Sequence, residues 1–263
     1  MPVLVTGATG RVGRALVAQL LAEGAQVRAY VRRDDAALRA AGAHVAIGAA
    51  DDVPRLESAL TRAHTIVHLI GGVWPEEGSS YDLLNRDSTE AAVIAAHAAD
   101  VKRFIFLSFV GADPASPNEF LAAKGRAEAH ITASPMEHAI LRCAPVAEGL
   151  GPTLQRLGRG RGAGVPGKGT QRVNPVSLAE VVAAIVAADS REAGVNGTWE
   201  LGGLETMTMQ EAAARALPGA RVVRPLRSAP RPLVKLYARD MIADRSAVSA
   251  HLGLAPMPDD TES

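Results

Sequence analysis

Val3-Leu4-Val5-Thr6-Gly7-Ala8-Thr9-Gly10-Arg11-Val12-Gly13 is the stretch on which the architecture turns. A short strand-forming run meets three glycines at every third position, and Arg11 to Glu23 then carries leucine and valine at helical spacing. A strand that feeds a helix through a glycine turn is the opening of a βαβ unit. Glycine there permits a tight turn, keeps Cβ out of the way of an approaching ligand and lets the helix lie close on the sheet. The unpaired N–H groups at the start of such a helix, together with its dipole, offer a seat to a diphosphate.

Outward from this turn, short β-branched runs alternate with Ala/Leu-rich helical stretches. Val27–Val31, Val45–Ile47 and Thr65–Ile70 read as strands, with a short helix around Leu56–Leu60. A long helical segment runs from about Ser79 to Asp100, and the apolar strand Phe104–Leu107 needs cover on both faces. Asn118 to Thr132 reads as a helix and Ala139–Cys143 as a sixth strand. This alternation predicts an α/β fold of the doubly wound, Rossmann type with a parallel sheet. Beyond Pro145 the pattern changes. Gly158 to Thr170 is rich in Gly and Arg without either hydrophobic period and reads as a surface loop. Asn174–Val176, a helix Ser177–Ala188 with Ser177 and Glu180 as capping pair, a strand Thr198–Leu201 and a helix Thr208–Leu217 follow. These pieces are too few for an independent core. The expected organisation is a nucleotide-binding domain over 1–150, a small α/β subdomain over 151–230 interleaved with it on the substrate side, and a C-terminal helix and tail over 231–263.

The chain has 263 residues, 48% of them hydrophobic, and its 28 Lys and Arg balance 28 Asp and Glu. That suits a globule with a full core and supplies no overall field to draw in nucleic acid or an anionic membrane. A single cysteine, Cys143, excludes an internal disulfide framework and a cysteine-based zinc site. The first residues lack the basic and long apolar regions of an export signal, so a cytoplasmic location is the default expectation. No apolar run reaches the roughly 20 residues of a membrane span. The partner expected is a small-molecule substrate, and both monomer and dimer fit the sequence.

The end of the second strand bears on the nucleotide. Where NAD-binding sites place an acidic residue for the ribose 2′-hydroxyl, this chain has Tyr30-Val31-Arg32-Arg33. Two guanidiniums suit a 2′-phosphate, which favours NADP with NAD as the alternative; the competing reading is a solvated charged turn.

These motifs, with the run from Asn85 through Val101-Lys102-Arg103-Phe104-Ile105-Phe106-Leu107-Ser108, Leu141-Arg142-Cys143-Ala144-Pro145, and Val173-Asn174-Pro175-Val176 before a helix, resemble the extended and atypical short-chain dehydrogenases. The resemblance covers about residues 2 to 216 and is nearest to the branch of NmrA-like regulators, quinone-reductase-like proteins and the dehydrogenase-like accessory subunit of respiratory complex I. It implies Gly7, Thr9, Gly10, Arg11, Val12 and Gly13 at the nucleotide, with Arg32 and Arg33 at its 2′-phosphate and Ile70, Gly71 and Asn85 along its wall. It also implies a Ser that orients a carbonyl, a Tyr acid–base and a Lys that holds the nicotinamide ribose. Ser108 and Lys124 match the first and last. The tyrosine position holds Phe120, whose ring carries no proton. Ala49 stands where relatives often carry an aspartate near the adenine.

Other candidates have plainer readings. Gly162-Ala163-Gly164-Val165-Pro166-Gly167-Lys168-Gly169 imitates a phosphate loop but ends in Gly rather than Ser or Thr, with no apolar strand leading in. His64 and His68 flank a strand too far apart for one metal, and the remaining histidines show no ligand spacing, so no metal is expected. Ser108 lacks the glycines of a nucleophile elbow. Cys143 falls in a buried strand and should be inert. Tyr81 and Tyr237 are the phenols left to replace the missing acid. Two functions of different class follow: an oxidoreductase passing hydride to an electron-poor acceptor such as a quinone or conjugated carbonyl, or a non-catalytic nucleotide-sensing regulator or assembly subunit.

Overall fold

The computed structural model describes residues 2–75, 78–190, 196–225 and 229–254. The first half gives β1 (Val3–Thr6), α1 (Arg11–Ala22), β2 (Val27–Val31), α2 (Ala36–Ala40), β3 (His44–Ile47), α3 (Val53–Leu60) and β4 (Thr65–His68). A π-helical turn, Asp82–Asp87, leads into α4 (Ser88–Ala98), followed by β5 (Arg103–Phe109), α5 (Glu119–Thr132) and β6 (Glu137–Cys143). Then come α6 (Ala147–Leu157), β7 (Ala163–Gly164), β8 (Arg172–Val173), α7 (Leu178–Ser190) and β9 (Gly197–Leu201). Last are β10 (Met207–Thr208), α8 (Met209–Ala216), β11 (Val222–Val223), α9 (Arg231–Tyr237) and α10 (Ser246–Leu252).

Seven strands form one parallel sheet in the order β3-β2-β1-β4-β5-β6-β9. Strand alternation sorts its side chains. Val3 and Val5 join Leu16, Val17 and Leu20 of α1 and Val181, Ala184 and Ile185 of α7 on one face. Leu4, Ile66, Phe104 and Phe106 meet Leu56, Ala92, Ala95 and Ile131 on the other. The fold is therefore the Rossmann-type α/β sandwich. The strand order reverses between β1 and β4, and a crevice for ligand opens at the carboxyl ends of such a pair.

The region after Pro145 departs from the sequence reading in four places. α6 lies where no helix was expected, because Gly149, Gly151 and an internal Pro152 mask its period; Leu150, Leu154 and Leu157 nevertheless keep one buried stripe. Within the supposed loop, β7 pairs in parallel with β11. The strand near Thr198 belongs to the main sheet, where β9 adds to β6 with Leu141 opposite Trp199. Asn174 and Pro175 lie outside any strand, and β8 just before them pairs with β10. The helix expected after Ser177 forms as α7: Ser177 Oγ accepts from the Glu180 N–H, and Glu180 accepts from the Ser177 N–H in return. α9 and α10 occupy the described part of 231–263, and residues 255–263 lie outside the described residues.

The β1–α1 junction has no spare room. Gly7 has φ of +65°, and its carbonyl accepts the Gly10 N–H at 2.9 Å. A Cβ on Gly13 would stand 2.3 Å from the Gly7 carbonyl oxygen and 2.7 Å from Ala8 Cα. Both neighbours are backbone, so α1 must move away from the sheet to admit it. Gly13→Ala is expected to lower the urea unfolding free energy by roughly 1–3 kcal/mol, the range for overpacking a tight interior; unchanged stability would show that this junction is not close-packed.

Candidate nucleotide-binding site

The helix that follows the glycine turn is built to receive an anion. Its N-cap is Gly10, no side chain caps its first turn, and Thr9, Gly10 and Arg11 are exposed at its tip. A Cβ on Gly7 would approach the Leu69 carbonyl to 2.9 Å, so the chain leaving β4 closes the same crevice from the other side. Val12 is half-buried against the core, whereas Arg11 reaches to α6, where its guanidinium would stand 2.9 Å from a Cβ on Gly149. Bare backbone, small residues and an uncapped helix start fit a diphosphate.

Arg32 and Arg33 follow β2 and are exposed. Of the two acids after them, Asp34 pairs with Arg39, and Asp35 pairs with Arg14 and accepts the Leu38 N–H to cap α2. The Arg14 hydrogen bond, then the Leu38 N–H, hold the Asp35 carboxyl below its ordinary pKa. Tyr30 points into the core, and its hydroxyl donates to the Ala49 carbonyl at 2.8 Å, bracing the turn after β3 from beneath.

On the β4 side, Ile70 is half-buried and Gly71 is exposed with φ of +146°. A Cβ on Gly71 would lie 2.8 Å from Asn85 Oδ1 and 3.0 Å from Lys124 Nζ, so these three residues converge. Asn85 is fully buried: its Oδ1 accepts the Gly72 N–H, and its Nδ2 donates to the Gly72 and Tyr81 carbonyls. The amide thus fixes the loop after β4. Lys124 is buried on α5, donates to the Leu107 carbonyl at 2.9 Å and lies 4.5 Å from the centre of the Phe106 ring. Burial lowers its pKa to about 8, with the Glu128 carboxylate opposing the shift.

Ser108 and Phe120 are not brought together. Ser108 shares the strand face of Phe104 and Phe106, and its hydroxyl donates to Glu128, which Arg142 also holds through two N–H groups. The β5 residue that meets Phe120 is Phe109, with ring centroids 5.3 Å apart; Tyr81 approaches from the other side at 6.0 Å. Glu128, Phe109 and Arg142 were missed by the sequence reading, although strand parity separates Ser108 from Phe109 and Glu128 follows Lys124 by one helical turn. Tyr81 donates to the Val73 carbonyl, Tyr237 is buried, and burial pushes both phenols up to about 12. The loop is pinned once more where Arg156 of α6 stacks over Trp74 at 3.9 Å. Beneath the crevice His68 is buried between Phe104 and Phe106, 3.0 Å from the Thr6 hydroxyl; burial takes its pKa down to about 3 and keeps it neutral. Cys143 is buried, and burial pushes its thiol up to about 12. Among the described residues no three His, Cys, Asp or Glu side chains group as a metal site, and no helix is long and apolar enough to cross a membrane.

Residues 7–189 match the NAD(P)H-binding family, and the chain belongs to it. It is 30% identical over 222 residues to the mitochondrial NADH dehydrogenase (ubiquinone) 1 alpha subcomplex subunit 9 of Arabidopsis thaliana, covering 80% of this chain and 55% of that protein. The chain spans about half the length of the curated relatives it matches. Among solved structures, the Citrobacter triphenylmethane reductase complexed with NADP(H) superposes with a TM-score of 0.75 at 23% identity, over 98% of this chain and 97% of that one. The Escherichia coli NADPH-dependent quinone oxidoreductase complexed with NADPH gives 0.75 at 21% identity, over 95% and 94%. At such identities these two structures speak for the fold.

The buried lysine yields a test of the site. The unfolded chain keeps the Lys124 proton up to about pH 10.5 while the folded chain releases it near 8, so this group adds stability as pH climbs between those values. Lys124→Met removes the titration, and its stability in urea melts should rise less over that interval than that of the parent chain. Superimposable pH profiles would mean that Lys124 is not desolvated.

Proposed function

We propose that the chain is an NADP(H)-dependent oxidoreductase acting on a small electron-poor acceptor, a quinone or conjugated carbonyl. The observation that carries this reading is the convergence of Lys124, Asn85 and Gly71 beside the glycine turn. A lysine held there at the cost of desolvation is understandable if it positions a nicotinamide ribose. When bound, the dinucleotide supplies a hydride. The chain's own residues do the rest: the amides from Gly7 to Gly13 seat the diphosphate, Arg32 and Arg33 take the 2′-phosphate, and Ile70 and Gly71 line the ribose side. Residues 1–150 provide the nucleotide seat in this reading, and 151–230 the cover of the acceptor.

Phe120, Phe109 and Tyr81 form an aromatic wall that excludes water and delivers no proton from Phe120. Ser108 would orient a carbonyl only by releasing Glu128. An acceptor that stabilises the negative charge arriving with hydride, and is protonated by solvent once it has left the wall, suits this site better than a simple ketone. Purified protein given NADPH and a panel of quinones and enones should show acceptor-dependent loss of the reduced-nucleotide absorbance; no loss with any acceptor would count against catalysis.

A second reading, a nucleotide-sensing regulator or assembly subunit, draws on Phe120 and on the relative that is a subunit of a larger assembly. It expects nucleotide binding without turnover and no activity gained by Phe120→Tyr. Strong reductase activity in that variant would identify a silenced enzyme instead.

Nucleotide choice is tested separately. Arg32→Ala with Arg33→Ala should raise the Kd for NADPH by roughly tenfold or more, the loss of a charge-assisted phosphate contact, and leave NADH within about twofold. Equal losses for both would reduce the arginines to surface charge.

A further inference from the structure

The chain is neutral overall, yet its cations are unevenly placed. Between Glu148 and Glu180 there are five Lys or Arg and no carboxylate, and between Glu211 and Asp240 there are seven and none. Twelve of the 28 basic residues therefore fall in two acid-free stretches. The parallel β7–β11 pair brings one described segment of each stretch together, with Ala163 opposite Val222 and Gly164 opposite Val223. Both leave the pair at the same end, through Pro166 and Pro225, and α9 forms the third side of a cleft of about 570 Å³. Lys168, Arg224, Arg231 and Lys235 surround it, all four exposed, over an apolar floor that includes Pro166 and Val234. Among the described residues none of these four cations bonds to a carboxylate.

We propose that this cleft binds an anionic amphiphile, one molecule with a phosphate or carboxylate head and a short apolar body. Four like charges around one depression repel each other and focus a positive potential into it, an arrangement that folding alone does not reward. An anion relieves the repulsion, and the proline and valine floor takes the apolar part. The volume lies within the range of about 300–1,000 Å³ of small-molecule sites. The cleft is separate from the nucleotide seat. The inner side of α9, Leu233, Leu236 and Tyr237, packs in the cluster that holds Phe120, and Asn118 at the start of α5 donates to the Pro232 carbonyl. Val234 and Lys235 turn outward to the cleft. The proposal does not depend on the redox reading.

Calorimetry of the full chain with octyl phosphate, octyl glucoside and inorganic phosphate tests it. Octyl phosphate should bind saturably at one per chain and more weakly as salt rises, inorganic phosphate far more weakly, and octyl glucoside not at all. Arg224→Glu with Lys235→Glu should abolish the octyl phosphate heat while far-UV circular dichroism stays that of the parent chain. Absent binding of octyl phosphate, equal heat from octyl glucoside, or undiminished binding by the folded double variant would overturn the proposal. Co-sedimentation with phosphatidylglycerol vesicles but no binding of monomeric octyl phosphate would also overturn it, pointing to a membrane surface instead of a seated ligand.

Discussion

Two backbone segments pass each other at the β1–α1 turn with no space for a methyl group between them. The Gly7 carbonyl faces Gly13 across 2.3 Å of would-be Cβ contact, and the Leu69 carbonyl closes on Gly7 from the end of β4. Because the turn is this tight, α1 starts directly over the carboxyl edge of the sheet with its first N–H groups unpaired. Because the strand order reverses between β1 and β4, those N–H groups look into an open crevice rather than onto another crossover. The roles proposed for Arg32, Asn85, Gly71 and Lys124 all refer to that fixed origin.

The opposite wall is held by a series of anchors on one loop. Asn85 grips Gly72, Tyr81 grips the Val73 carbonyl, and Arg156 stacks on Trp74. Asn85 and Tyr81 come from the π-helical turn just downstream and Arg156 from the distant α6, so the loop is held both by its neighbour in sequence and by a long-range contact. Lys124 is placed by the same logic, held between the Leu107 carbonyl and the Phe106 ring. A buried ammonium is costly, and the Glu128 carboxylate one helical turn away offsets part of that cost. Glu128 is in turn held by Arg142 and by the Ser108 hydroxyl, so the serine expected at the acceptor serves an internal charge network.

The face around Phe120 is correspondingly apolar. Phe120 replaces a phenol, Phe109 lies against it, and Tyr81 spends its hydroxyl on a backbone carbonyl. A wall lined in this way suits a flat apolar molecule and offers no proton of its own; in the proposed reduction the proton comes from elsewhere.

The sequence by itself determined the parallel sheet and the glycine turn at its carboxyl edge. β-branched runs, helical periods and glycine freedom are local properties that a reader can follow along the chain. It also determined that no proton resides at position 120, since that is a matter of side-chain chemistry. Tertiary structure alone decided where β9 went, because joining an existing sheet edge depends on what that edge offers and Thr198–Leu201 reads the same in either place. α6 was hidden by Gly149, Gly151 and Pro152, whose low helix propensity is overridden once Leu150, Leu154 and Leu157 find a common core. Whether Asn85 met solvent or the loop after β4, and whether Ser108 faced an acceptor or Glu128, depended on helix rotation and strand parity against distant neighbours. Those are set by packing across the sheet, where residues far apart in sequence compete for the same buried space.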